Sequence, residues 1–353
     1  MSAATVSPQK LRERIDELPR RRLAVLPTGL QDLPRLAGWL GVQELRVKRD
    51  DLTGIGLGGN KSRLMEFILG DAIAQDCDVV VAGGGAEQSN HAVQCVAAAN
   101  RVGLDTVMVL QRRPDARTNG NALLHEVLGG RTVWIDSDPQ LQDRASGSIG
   151  MHLEAERLRA DGRRPYVLES SLHPLSVIAY VAAALELHGQ LSELEDKPTR
   201  VYVTSEGAAL GGLLLGARLL GVAWEVVGLD WRPAQSGTTS RLHEVITAAA
   251  AQLDLMPNPV EEQDIIVRPT GGPAYGVGSC ESWSALAAAA RLEGLILDPV
   301  YTAKGMAGVA DDLRHRPPEP GGRVVFIHTG GVAAIFAYQA EIRRHLIDAT
   351  RPR

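Results

Sequence analysis

Asp78-Val79-Val80-Val81-Ala82, followed by Gly83-Gly84-Gly85 and then by the run Asn90–Val102, is the stretch on which the fold turns. An unbroken apolar run of this length, closed by glycine, is the pattern of a strand buried on both faces, as strands of parallel sheets are. Three consecutive glycines make a tight turn, since they reach backbone angles closed to other residues. Residues 90–102 then read as a helix, which completes a βα unit. Outward from it the alternation continues. Strands are expected at 106–110 and 132–135, helices at 122–128 and 144–160, and an extended segment at 166–168. A second series begins with a strand at 201–204 and a helix at 208–220. It continues with a strand at 224–229, helices at 241–253, 282–293 and 305–314, an apolar strand at 324–327 and a helix at 333–346. Residues 45–49 read as a short strand of alternating polarity. The polar stretch 192–200, with Pro198, separates the two series, and Pro317-Pro318-Glu319-Pro320-Gly321-Gly322 is a surface loop. This is an α/β chain with parallel-rich sheets in two units, and such folds bind ligands in the cleft outside the carboxyl ends of their strands.

With 353 residues, 44% apolar and 22% charged, the chain has ordinary globular composition and length for two modest cores. A net charge of -5 gives no reason to expect a nucleic-acid or membrane partner. Cys77, Cys95 and Cys280 are odd in number and lack metal or disulfide spacing, so buried thiols in a reducing compartment and no bound metal are expected. The polar N-terminus shows no signal-peptide pattern and no run reaches membrane-spanning length, so a cytoplasmic location is expected by default.

Lysine is scarce. There are five, at positions 10, 48, 61, 197 and 304. Lys10 and Lys197 sit in charged or polar stretches and read as solvated; Lys304 stands near a helix start. Lys61 differs: it follows Gly58-Gly59-Asn60 and opens the helical run Ser62-Arg63-Leu64-Met65-Glu66-Phe67. Glycines allow close backbone approach to a ligand. The positive end of a helix disfavours an ammonium, which suits an amine that must act as a nucleophile. Ser89 and Asn90, after the Gly83–Gly85 turn, stand at another helix start, where unpaired amides are ready for a carboxylate.

The segment 58–63 resembles the cofactor-lysine motif of the 1-aminocyclopropane-1-carboxylate deaminase and D-cysteine desulfhydrase family, within the tryptophan synthase beta-like pyridoxal-phosphate (PLP) enzymes of fold type II. Further segments match in the same order: Gln88-Ser89-Asn90-His91, Asn119-Gly120-Asn121, Gly228-Leu229-Asp230, Tyr275-Gly276, Leu297-Asp298-Pro299-Val300-Tyr301-Thr302 and His328-Thr329-Gly330-Gly331. The resemblance covers about 26–338. It implies a large cofactor-binding domain from residues 1–60 and 190–353, a small α/β domain inserted at 61–189, and pyridoxal 5'-phosphate in the cleft between them. It implies that Lys61 carries the cofactor as a Schiff base and moves protons. Asn90 would touch the ring hydroxyl, and Thr302 would face the pyridine nitrogen. Ser89, with Asn90 and His91, would bind the substrate, and Tyr275 and Tyr301 would stand at its reacting face. Thr204, Ser205 and the amides of Gly207, Ala208 and Ala209 would cradle the phosphate. Ser89 also fits a plain helix cap, His91 a residue packed on the cleft wall, and Tyr275 a structural tyrosine.

The implied reaction is elimination from a small amino acid after loss of the Cα proton, as in a D-cysteine desulfhydrase. A homodimer is implied as well. β-Replacement with a second, nucleophilic substrate or other C–C or C–S bond formation in a specialised pathway, opening of a cyclopropane ring, and an inactive binding homologue are the alternatives. Threonine at 302, where an acidic residue marks the ring-opening branch, points away from ring opening. A nicotinamide-dependent dehydrogenase would fit the βα pattern, but the spacing of Gly83-Gly84-Gly85 is wrong for a dinucleotide loop. The chain departs from the family at Glu206 and Ala209 in the phosphate segment, at Glu169-Ser170-Ser171-Leu172-His173-Pro174-Leu175, and at Leu64, Val93, Trp231 and Arg232.

Overall fold

In a computed structural model, described for residues 5–113, 116–136, 144–230, 238–270 and 272–347, the strands form two sheets. Trp231 and Arg232 lie outside the described residues. The larger sheet holds β1 (Leu30–Asp32) and β2 (Glu44–Lys48) from the start of the chain. Its other strands are β7 (Thr199–Val203), β8 (Glu225–Asp230), β9 (Ile266–Pro269) and β10 (Arg323–Ile327). Their order is β1-β2-β10-β7-β8-β9, and all pairs are parallel except β1 with β2. The smaller sheet is all parallel, built from β3 (Val79–Gly83), β4 (Asp105–Arg112), β5 (Arg131–Asp136) and β6 (Pro165–Leu168) in the order β5-β4-β3-β6. Every residue of β3 and of β10 is buried, as helices on both faces require.

The strand series read from the sequence is present. Two strands were not anticipated, β1 and β9, both short and largely accessible. The helix expected at 333–346 is instead a 3-10 segment, Val332–Tyr338, then one α-turn, Gln339–Ile342, and a π-turn, Arg343–Ile347. The backbone at Ala333 lies against Gly120, where a Cβ would come within 2.9 Å of the Ala333 carbonyl. That crowding, together with Arg117 donating to the Ala337 carbonyl at 2.6 Å, ties the segment to the loop beyond β4 and sets its path.

Helix Pro174–Ser192 is the one described helix long and apolar enough to cross a membrane, and most of it is buried here. It packs so closely on helix Ala208–Leu220 that a Cβ at Gly212 would come within 2.3 Å of Tyr180 Cβ, a contact only glycine permits. The chain has therefore rejoined the layers of the larger sheet before residue 190.

Candidate active site

The carboxyl ends of the parallel strands of both sheets carry the candidate residues. At the end of β10, Gly330 has φ +92° and pairs with Gly59; a Cβ on Gly330 would come within 2.5 Å of the Gly59 Cα. The Asn60 amide donates to the Thr329 carbonyl at 3.0 Å. Thr53 Oγ1 accepts from the Gly59 amide at 2.8 Å. Gln94 closes the other side, accepting from the Ser62 amide at 2.7 Å and donating to the Gly58 carbonyl at 3.1 Å. Lys61 is thus held as the first residue of helix Lys61–Ala74 between the end of β10 and helix Asn90–Val102. Its side chain keeps partial access while the amine end is enclosed, and burial lowers its pKa, with the Glu206 carboxylate opposing that shift.

Ser89 is the N-cap of helix Asn90–Val102, its Oγ accepting from the Ala92 amide at 3.2 Å. The cap reading is thus realised, and it fixes the hydroxyl at the cleft end of that helix. The Asn90 side-chain nitrogen lies 2.5 Å from where a Cβ on Gly59 would sit, so Asn90 faces the turn before Lys61 directly. His91 has neither ring nitrogen hydrogen-bonded although both are buried. Burial and then the nearby Lys61 charge push its pKa down to about 3, which makes it a neutral imidazole beside the lysine.

Tyr301 and Tyr275 meet edge to face with ring centroids 5.9 Å apart, and the Tyr301 hydroxyl donates to the Tyr275 hydroxyl at 3.4 Å. Burial raises both phenol pKa values, and in Tyr275 the neighbouring Tyr301 adds to the effect, so both are neutral hydroxyls at neutral pH. Asp298 organises the turn before helix Thr302–His315. Its Oδ2 accepts from the amides of Val300 and Tyr301, and its Oδ1 from the amide and hydroxyl of Thr302, all at 2.7–2.8 Å. The Thr302 hydroxyl is therefore engaged by this buried carboxylate, a partner sequence reasoning did not supply.

At the end of β7, Thr204 Oγ1 is buried without a hydrogen-bond partner, and it lies against Gly305, where a Cβ would come within 1.9 Å of it. Ser205 Oγ accepts from the Gly207 amide at 3.1 Å, so these two expected phosphate donors engage each other. Ala208 and Ala209 open helix Ala208–Leu220, where amides have no partner within the helix. An orphaned hydroxyl and an open helix N-terminus at one end, and an enclosed amine beside Asn90 and an orphaned imidazole at the other, fit an anionic aldehyde cofactor. Glu206, next to Ser205 in the chain, bears electrostatically on both Lys61 and Tyr301.

Behind the lysine lies a buried charge network that the sequence did not reveal. Arg63 donates to both oxygens of Asp50 at 2.7 and 3.0 Å and to both oxygens of Glu186 at 2.9 and 3.0 Å. Lys48 pairs with Glu186 and donates to Thr28, and Tyr180 donates to Asp50 at 3.1 Å. Lys304 is also buried and donates to the Ala274 carbonyl; burial brings its pKa down to about 8.

The fold and this lysine-centred cleft define a pyridoxal-phosphate enzyme, and the family model described as pyridoxal-phosphate dependent enzyme matches residues 21–330. The chain belongs to that family, in its 1-aminocyclopropane-1-carboxylate deaminase and D-cysteine desulfhydrase branch, and pyridoxal 5'-phosphate is its cofactor. It is 34% identical to D-cysteine desulfhydrase of Salmonella paratyphi C over 337 residues, 93% of this chain and 98% of the relative. It is also 34% identical, over 94% of this chain and 98% of the relative, to a Pyrococcus abyssi protein named as a candidate 1-aminocyclopropane-1-carboxylate deaminase. Among solved structures, an ACC deaminase homologue superposes with a TM-score of 0.83 at 31% identity, covering 96% of this chain and 99% of that one. O-ureido-L-serine synthase shares the fold, with a TM-score of 0.64 at 18% identity, over 95% of this chain and 97% of that one. The protein is an enzyme of the lyase and deaminase type that acts on a small amino acid.

Glu206 gives the expected phosphate end a measurable signature. A carboxylate beside a phosphate dianion repels it. Glu206→Ser is expected to tighten pyridoxal 5'-phosphate binding by about tenfold while leaving pyridoxal, which has no phosphate, much less changed. Absorption titration of the cofactor-free protein with each compound measures both constants. Equal changes for the two would mean that Glu206 does not face the phosphate.

Proposed function

We propose that the chain is a β-eliminating lyase, similar to D-cysteine desulfhydrase, that releases a 2-oxo acid and ammonia from an amino acid with a leaving group on Cβ. The observation that carries this reading is the pairing of a Lys61 amine lowered in pKa by burial with the neutral Tyr301–Tyr275 hydroxyl pair, the Glu206 carboxylate acting on both Lys61 and Tyr301. A base for the Cα proton and an acid for the departing group are the two parts that β-elimination needs.

When bound, pyridoxal 5'-phosphate supplies the aldehyde that captures the amino group and the electron sink that acidifies the Cα proton. Lys61 accepts that proton. Ser89 and the open amides of its helix hold the substrate carboxylate, which fixes the Cα–H bond toward the amine. Tyr301, relayed through Tyr275, donates a proton as the Cβ bond breaks and its electron pair leaves with the β group. The released enamine takes up water to give the 2-oxo acid and ammonia. Asn90 and Thr302 would contact the cofactor ring, His91 would line the substrate side, and Thr204, Ser205, Gly207, Ala208 and Ala209 would form the phosphate end. Position 302 holds a hydroxyl, and the oxygens of Asp298 are filled by three amides and that hydroxyl. No acidic group is thereby presented from this turn, which supports elimination over ring opening.

The test is a spectral and product survey of the cofactor-loaded protein with L- and D-amino acids, including cysteine and serine, and with 1-aminocyclopropane-1-carboxylate. One β-substituted amino acid is expected to shift the visible band and yield pyruvate and ammonia in equal amounts. Tyr301→Phe should lower kcat by about a hundredfold with a smaller change in KM. Formation of 2-oxobutanoate from the cyclopropane substrate alone would replace this reading with ring opening.

A further inference from the structure

Beside Ser89 a pocket of about 220 Å³ enters the layer of the smaller sheet, walled by Glu87, Ser89, Asn121, His125, Thr132 and Trp134. Apart from Ser89, none of these residues has a part in the elimination described above. Two atoms in the wall lack what burial demands. Glu87 Oε2 and His125 Nε2 are both buried without a hydrogen-bond partner. Glu87 is 7% exposed, and its other oxygen receives only a long contact, 3.5 Å, from the Arg117 amide. A buried carboxylate without a matching cation is costly.

The wall residues do not supply that cation. No lysine or arginine lines the pocket among the described residues. The Arg117 guanidinium is turned to Glu341 and the Ala337 carbonyl and stacks on Tyr338. Arg113 donates to the Tyr275 carbonyl and lies over the Tyr275 ring. The Asn121 side-chain amide donates to the Gln88 carbonyl at 3.0 Å. Burial lowers the pKa of His125, so its ring is neutral and adds no charge; its Nδ1 lies 3.4 Å from Thr132 Oγ1. The pocket therefore presents carboxylate oxygens, a neutral imidazole and hydroxyls around a space large enough for several waters.

We propose that Glu87 and this pocket bind a primary ammonium group, carried either on the side chain of the amino-acid substrate or on a second, amine substrate. An ammonium has three donors and no acceptor, which matches a wall of acceptors that holds two carboxylates, the buried Glu87 and the exposed Glu126, and no lysine or arginine. Glu87 stands two residues before Ser89 and lines the same pocket, which places it beside the proposed carboxylate site. The catalytic meaning of the pocket rests on the amino-acid reaction proposed above; binding to it can be read separately.

The experiment uses the cofactor-loaded protein and two probes. The first compares 2,3-diaminopropionate with serine, which differ by an ammonium for a hydroxyl, in both enantiomers, by titrating the visible band. Diaminopropionate is expected to bind more tightly by on the order of tenfold to a hundredfold, and the ratio should collapse toward one in Glu87→Gln. The second probe is methylammonium, followed by the emission of Trp134, taken as the difference between the wild type and Trp134→Phe. A saturating response that depends on Glu87, without preference for diaminopropionate, assigns the ammonium to a second substrate. Absence of both the preference and any saturable change of wild-type tryptophan emission with methylammonium overturns the proposal, whether or not any variant folds. If no amino acid shifts the visible band but methylammonium still binds through Glu87, the elimination reading fails and the pocket assignment stands.

Discussion

Lys61→Ala, loaded with pyridoxal 5'-phosphate, is expected to lose the visible band of the wild-type protein and to turn over substrate roughly ten-thousand-fold more slowly. On the proposed mechanism two functions fall together: covalent capture of the cofactor aldehyde, and acceptance of the Cα proton by the same amine. The structure gives the reason that no neighbour takes over. His91, the other base beside the lysine, is neutral with a pKa of about 3, too weak a base for a Cα proton. Tyr301 and Tyr275 are held as protonated phenols by burial. Lys304 is a primary amine with a pKa of about 8, but its Nζ is committed to the Ala274 carbonyl. Lys61→Arg serves as the control for charge, because a guanidinium keeps the cation but does not form the imine. Absorption spectra and single-turnover rates of the three proteins measure the effect. A band that persists unchanged in Lys61→Ala would remove the lysine from the site.

The βα order was legible because buried parallel strands leave unbroken apolar runs, as in β3 and β10, and because glycine marks their ends. The glycine turn that leads into Lys61 was legible for a similar reason: Gly330 must be glycine to approach Gly59, Gly59 must be glycine to lie against Gln94 and Asn90, and both stand in short motifs. What could not be read depends on partners far apart in the chain. Lys48 looks like the polar side of a short strand, yet it is buried because Glu186, 138 residues away, pairs with it. Lys304 is likewise buried under the turn that contains Ala274. The apolar pattern of 333–346 suits a helix, and only the loop carrying Arg117 and Gly120 explains why the segment winds as 3-10 and π turns. Glu87 was passed over because a carboxylate before a helix cap is an ordinary surface residue in sequence; its burial appears only when β3, Tyr275 and Tyr338 come together.

The second large effect is expected from the charge network beneath the lysine. Two cations, Lys48 and Arg63, face two anions, Asp50 and Glu186, and all four are buried or nearly so. Burial alone would raise the pKa of Glu186, but Arg63 and Lys48 bring it down to about 2. Its contribution to stability is therefore present above its ordinary pKa of 4.5 and is lost as pH falls from there toward about 2. Arg63→Met leaves one cation against two buried carboxylates, and removing one partner from such a pair costs about 3–5 kcal/mol. The denaturant midpoint should fall accordingly, and the cofactor band should weaken, since Arg63 lies on the same helical turn as Lys61. Arg63→Met combined with Glu186→Gln restores neutrality, with Lys48 facing Asp50, and is expected to recover part of the loss. Recovery separates charge balance from simple packing: if the double variant is as unstable as the sum of its single changes, the network contributes through shape alone, and the electrostatic account of how helix Lys61–Ala74 is anchored is wrong.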